Sequence, residues 1–189
     1  EQDVRESTRI CRVAEADTGA QDAWDALGER LVDHYRPLRG RVRTHVIHQH
    51  LRAHLPPPPA RIVDVGGGAG HQSIPLAADR YDVTILDPSP SMLRRAEESL
   101  GAGPDAVADR VSLLQAKGEE APRALAGETF GGVLCHGVLM YLDDPSLLLD
   151  ALCSLTGPRG VLPIVATNAA ALAVRPALAG DWYAALEAF

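Results

Sequence analysis

The chain has 189 residues and a formal charge of −7, with 46% hydrophobic and 23% charged residues. That balance suits one globular domain and excludes a disordered chain or a fibrous repeat. No run reaches the about 18 uninterrupted apolar residues of a membrane span, and no charged-then-apolar leader opens the sequence, so no membrane partner is expected.

In chain order, the first apolar pattern is Trp24, Leu27, Leu31 and Tyr35, and the second is Val42, Val46, Ile47, Leu51 and Leu55. Both recur at three- and four-residue steps and predict two helices, with Pro37 and Gly40 as the break between them. Residues 30–54 also reverse the overall charge. Six arginines and five histidines face a single acid, Asp33, which suits either a solvated helix face or a surface that meets anions. The run Pro56 to Pro59 closes this part, because proline has no N–H and clashes with a preceding helical turn. Residues 1–55 are therefore expected to be an N-terminal helical segment, and residues 56–189 the main domain.

Beyond the prolines, short apolar runs alternate with helical segments. The predicted strands are 61–65, 82–86, 111–115, 132–135 and 160–166, and the predicted helices 72–79, 90–100 and 145–155, with a short turn near 119–126. Ser89 before Pro90 and Asp144 before Pro145 are two helix starts, each an N-cap followed by proline at the first helical position. The alternation predicts parallel βαβ units, hence an α/β fold: a doubly wound parallel sheet with the N-terminal helices covering one side. Pro163 lacks the N–H that a ladder needs, so the fifth strand is expected to be an edge or to carry a bulge.

The sharpest local signal is Val63-Asp64-Val65-Gly66-Gly67-Gly68-Ala69-Gly70, an apolar strand running straight into glycines. Such a turn lets backbone approach a ligand closely and, in an open α/β sheet, lies at the carboxyl ends of the strands where ligands bind. The spacing is G-x-G-x-G rather than the G-x-G-x-x-G of dinucleotide folds, which disfavours a nicotinamide oxidoreductase. Asp87 ends the second strand, seventeen residues after Gly70. A carboxylate there accepts hydrogen bonds from both hydroxyls of a ribose. The cysteines, Cys11, Cys135 and Cys153, are odd in number and lack C-x-x-C spacing, so neither a disulfide framework nor a zinc site is expected and a cytoplasmic setting fits. His50 and His54 stand one turn apart with no carboxylate between them, and no metal is expected there.

The stretch from Arg61 to Leu100, with VDVGGGAG followed by VTILDPSPSML, resembles class I S-adenosylmethionine-dependent methyltransferases, and Phe130 to Pro145 is similar to that family's fourth-strand signature. Arg39 to Leu51, Thr167 to Leu172 and Ala179 to Trp182 resemble the bacterial tRNA carboxymethoxyuridine methyltransferase group. The resemblance covers residues 36 to 189 and implies a Rossmann-like sheet with S-adenosylmethionine as cofactor and S-adenosylhomocysteine as product. It implies that Asp64 opens the motif, that Gly66, Gly67 and Gly68 run along the methionine portion, that Asp87 holds the ribose, and that Pro88 and Met92 lie near the adenine. Arg43 would pair with the cofactor carboxylate, for which a planar guanidinium is suited. His136 would line the methyl-transfer side and is the candidate catalytic residue, beside the plainer role of a structural hydrogen-bonder.

Two departures accompany it. Lys117 stands where the pattern leads one to expect an acid, leaving Gly118 and Glu119 as the residues beside the adenine. The chain also ends after the fifth strand, so the last two strands of the family sheet are expected to be lacking, and an exposed fifth strand invites a homodimer. The expected reaction is in-line methyl transfer to a small-molecule or tRNA-nucleoside acceptor. A carboxylate or thiolate acceptor needs no base, whereas a hydroxyl or protonated amine would use His136 or Tyr141. The alternative is a cofactor-binding fragment or module without turnover.

Overall fold

A computed structural model describes residues 11–12, 38–168 and 171–188. The helix expected over Trp24 to Tyr35 lies outside the described residues. The described residues form seven strands: β1 (Cys11–Arg12), β2 (Arg61–Val65), β3 (Asp82–Asp87), β4 (Val111–Gln115), β5 (Phe130–His136), β6 (Thr156–Val161) and β7 (Ile164–Val165). They run in the order β1-β4-β3-β2-β5-β6, with β7 beside β5, and every pairing is parallel. Chain order reverses between β2 and β5, so the crevice of this sheet opens above the carboxyl ends of those two strands.

Period-two alternation along the strands sorts their side chains into two cores. Ile62, Val83, Ile85, Leu113 and Leu134 point to one face, where they pack with α1 (Leu38–His54), α2 (Ser73–Ala78) and α3 (Pro90–Gly101) through Leu51, Leu76 and Leu93. Val63, Val65, Leu86, Val133 and Cys135 point to the other, where they meet Ala121 of α5 (Ala121–Ala124) and Leu148, Leu152 and Leu155 of α6 (Ser146–Leu155). A one-turn α4 (Asp105–Ala108) precedes β4, and α7 (Val174–Leu178) and α8 (Trp182–Glu187) follow β7. The sheet is covered on both faces, as the strand–helix rhythm predicts.

Helix starts follow local chemistry. Ser89 caps α3 as expected, its hydroxyl accepting a hydrogen bond from Met92 N at 3.2 Å. At α6 the expected boundary shifts by one residue. Asp144 Oδ1 accepts from Ser146 N at 2.9 Å, but Pro145 occupies the cap position and the helix opens at Ser146. Pro163 divides the fifth strand as its missing N–H requires: β6 ends at Val161 and β7 resumes at Ile164, while a separate register shift in the β6–β5 pairing lies earlier, between Thr156 and Val161. The proline carbonyl still takes part, accepting from Cys135 N at 3.1 Å.

Candidate functional site

A cavity of about 780 Å³ lies over the carboxyl ends of β2, β3, β4 and β5, a size suited to a nucleoside with an extended tail. Every residue that the sequence assigns to the cofactor site lines it: Arg43, Asp64, Gly66, Gly67, Gly68, Asp87, Pro88, Met92, Gly118, Glu119 and His136. These come from five separate stretches of chain, and the parallel sheet is what brings them together.

The floor is the loop after β2. Gly66 and Gly68 have φ of +74° and +55°, the left-handed region that an L side chain enters only at a cost. The loop is tied to the neighbouring strand, with Gly66 N and Gly67 N donating to Leu86 O at 2.7 and 3.3 Å. Asp87 then joins two loops at once. Its Oδ2 accepts from Gly68 N at 2.8 Å and its Oδ1 from Ser89 N at 2.9 Å. A carboxylate oxygen accepts more than one hydrogen bond, so this carboxyl both fixes the glycine loop and faces the cavity as an acceptor.

Asp64 lies beneath the loop on the α2 side of the sheet and is buried, with Ser73 Oγ donating to its Oδ2 at 2.6 Å. Burial pushes its carboxyl above the usual carboxylate range, against the opposing influence of His136 and of the Ser73 hydrogen bond. His136 ends β5. Burial holds its imidazole below the usual range; the charge of Asp64 raises it and that of Arg43 lowers it further. Its Nε2 is buried and has no hydrogen-bond partner, and the same is true of Nε2 of Gln72, at the start of α2. Both residues line the cavity, and each keeps beneath its wall a polar nitrogen that the protein itself leaves unsatisfied. Cys135, one residue before His136, is driven to about 12 by burial first and Asp64 second, so its thiol is inert.

The walls come from elements distant in sequence. Arg43, Thr44 and Ile47 of α1 form one side, and Arg43 Nη2 stands 4.0 Å from where a Cβ on Gly137 would be. Lys117, Gly118 and Glu119 follow β4, and Met140 and Tyr141 follow β5. Sequence reasoning missed Ile47, Gln72, Val138 and Val165 to Thr167 as lining residues. Gln72 carried no signal, because its burial arises from packing rather than from its neighbours in sequence. Val165 to Thr167 reach the site because β7 realigns on β5 after the Pro163 break. Among the described residues, no group of three or more His, Cys, Asp or Glu is arranged to hold a metal, and no helix is long and apolar enough to cross a membrane.

Residues 63–162 match a family described as a methyltransferase domain. The chain is 28% identical over 151 residues to the tRNA 5-carboxymethoxyuridine methyltransferase of Escherichia coli (strain K12), covering 78% of this chain and 57% of that protein. It is 30% identical over 177 residues to the ubiquinone biosynthesis O-methyltransferase of Azorhizobium caulinodans, covering 90% and 67%. The magnesium protoporphyrin IX methyltransferase of Synechocystis PCC 6803, solved with bound SAH, superposes with a TM-score of 0.64 at 19% identity, over 86% of this chain and 78% of that one, which shows a shared fold. A glycine loop, an acid closing the next strand and a cavity above a parallel sheet define an α/β domain with a cavity at its strand ends. The chain belongs to the methyltransferase-domain family. It spans just over half the length of the tRNA-modifying relative.

Proposed function

We propose that this chain binds S-adenosylmethionine in the cavity above β2 and β5 and directs its methyl group to a tRNA-nucleoside or small-molecule acceptor. The observation that carries the proposal is Asp87, whose carboxylate is fixed by Gly68 N and Ser89 N and faces a cavity floored by the glycine loop. The residues fit the cofactor. The carboxylate suits ribose hydroxyls, Arg43 suits the amino-acid carboxylate, and the half-buried Pro88 and buried Met92 offer an apolar wall to the adenine. Gly118 and Glu119 complete the adenine end, and Gly66, Gly67 and Gly68 leave room for the methionine portion. Asp64 acts from below, holding α2 against the loop through Ser73.

When bound, the cofactor supplies a methyl group on a sulfonium, ready for in-line displacement. The protein's share is alignment and exclusion of water, with Val138 and Tyr141 closing the side where β5 ends. His136 is neutral at pH 7 because burial lowers its affinity for a proton. Its ring lines the cavity, and the neutral imidazole is the group we assign to take the proton of a hydroxyl acceptor, whereas a carboxylate acceptor needs no base. Residues 1–55 are assigned as the segment that caps the site, a role supported by the side chains α1 lends to the cavity wall.

The tRNA reading is favoured by α1, which carries Arg39, Arg41, Arg43 and Arg52 without a single acid, and by the likeness to a tRNA-modifying enzyme. The small-molecule reading is favoured by the likeness to ubiquinone biosynthesis O-methyltransferases. A second copy docking along the β6 edge is the homodimer we assign, supported by the position of β6 at the border of the described sheet. Incubation with methyl-labelled S-adenosylmethionine, bulk tRNA and a panel of phenols and carboxylic acids tests the proposal. Label reaching one acceptor class with the wild type and not with Asp87→Ala supports it. No transfer to any class, with cofactor still bound, would favour a binding module without turnover.

A further inference from the structure

We propose that Asp79 is a positioning residue that sets α1 over the cavity, by holding His48 and Arg52 on one carboxylate oxygen. The observation is a clamp between two helices, made of one hydrogen bond and one ion pair. His48 Nε2 lies 3.0 Å and Arg52 Nε 3.2 Å from the same Asp79 Oδ2, across 31 and 27 residues of sequence. His48 and Arg52 are one turn apart on α1, so both reach the same side of the helix.

The clamp joins two walls of the site. Asp79 is the C-cap of α2, whose other end carries Gln72 and Ser73, the one lining the cavity and the other bonded to Asp64. On α1, His48 follows Ile47 and lies one turn beyond Thr44, both of which line the cavity with Arg43. An acid at a helix C-terminus works against the local carbonyls, and here the Arg52 guanidinium and the His48 imidazole of α1 answer it. Tyr81 is the third group at this point. Its hydroxyl donates to Pro56 O at 3.0 Å, which fixes the chain just past α1, and its pKa is raised by burial and by Asp79 while Arg52 opposes.

Among the described residues, hydrophobic packing anchors the middle and rear of α1, where Ile47 is partly buried against the core. Leu51, and Leu55 just beyond the helix, are buried in the core, whereas Leu38, Val42 and Val46 toward the front are 74%, 52% and 47% exposed. The clamp adds a polar grip at the middle of α1, beside Ile47 and one turn beyond the stretch that carries Arg43 and Thr44. This inference rests on the proposed cofactor site for its effect on binding, and on α1 alone for its effect on motion.

Two readouts on the full chain separate these. Hydrogen exchange of Asp79→Asn should speed up at the amides of α1 from Thr44 to Leu51 while β2 and β3 keep their protection. Affinity for S-adenosylhomocysteine should fall about tenfold, the loss expected of one misplaced ionic partner. His48→Gln, which keeps a nitrogen donor at similar reach, should recover most of both effects that His48→Ala shows. Adding Asp79→Asn to Arg43→Ala should cost little further affinity, because the same contact is already gone. Unchanged α1 exchange in both Asp79→Asn and His48→Ala overturns the proposal, as do losses that multiply in the double variant. Should the wild type fail to bind the probe, the cofactor reading falls and the exchange result alone decides on the clamp. If Asp79→Asn does not fold, Arg52→Gln, changed at an exposed side chain, carries the same test.

Discussion

Gly66 and Gly68 are two residues apart in one loop, yet replacing each by alanine should produce different failures. Both have positive φ, so either alanine pays roughly 1–2 kcal/mol for a left-handed backbone. At Gly68 a Cβ would meet nothing nearer than Asp87 Oδ2 and Met92 Sδ, each 3.9 Å away, so the backbone cost is the whole cost. That lowers Tm by about 2–8 °C for a chain of this size. At Gly66 the Cβ would stand 2.4 Å from Val138 Cγ2, and the clash adds roughly 1–3 kcal/mol of overpacking. The expected order of thermal stability is wild type, then Gly68→Ala, then Gly66→Ala by a further several degrees. Ligand affinity should separate differently, because the Gly68 methyl intrudes where a ligand would run beside Asp87. Differential scanning fluorimetry with and without S-adenosylhomocysteine measures both quantities. Equal destabilisation of the two variants would refute the reasoning, and so would Gly68→Ala that keeps full ligand stabilisation.

Further outcomes follow from the same geometry. Asp87→Asn leaves one of two backbone N–H groups facing an amide NH₂, which costs about 1–3 kcal/mol by denaturant unfolding and abolishes cofactor binding. Leu152→Ala removes a fully buried side chain from the α6 side of the sheet and should cost about 2–5 kcal/mol, read as a lower denaturation midpoint with unchanged slope. His136 has a folded pKa below its unfolded value of 6.5, so its contribution is intact above that pH and is lost as pH falls below it. Asp64, raised above 3.8, acts with the opposite sign, stabilising most at acid pH and losing that contribution as pH rises through its folded value. Thermal melts at pH 7.5 and 5.5 should therefore show a smaller acid-side loss for His136→Gln than for the wild type.

The sequence disclosed the parts of the site whose chemistry is local. A strand running into Gly66 to Gly70, an acid at the end of the next strand and a Ser–Pro helix start all depend on neighbouring residues, and each stands where expected. Pro163 was equally readable, since a missing N–H breaks a ladder wherever it falls. What could not be read depends on distance. The burial of Gln72, the unpartnered Nε2 of His136 and the meeting of Asp79 with His48 and Arg52 arise only when separate elements pack. The one-turn α4 and the two-residue β1 are too short for any periodic signal. Lys117, odd against the family pattern, does line the cavity beside Gly118 and Glu119.

The most direct measurement is calorimetric titration of the chain with S-adenosylmethionine, S-adenosylhomocysteine and NAD, alongside Asp87→Ala. One-to-one binding of the two sulfur nucleosides, lost in Asp87→Ala while NAD gives no heat, is the predicted result. Binding of NAD alone, or sulfur-nucleoside binding that Asp87→Ala leaves intact, would contradict the assignment of the cavity.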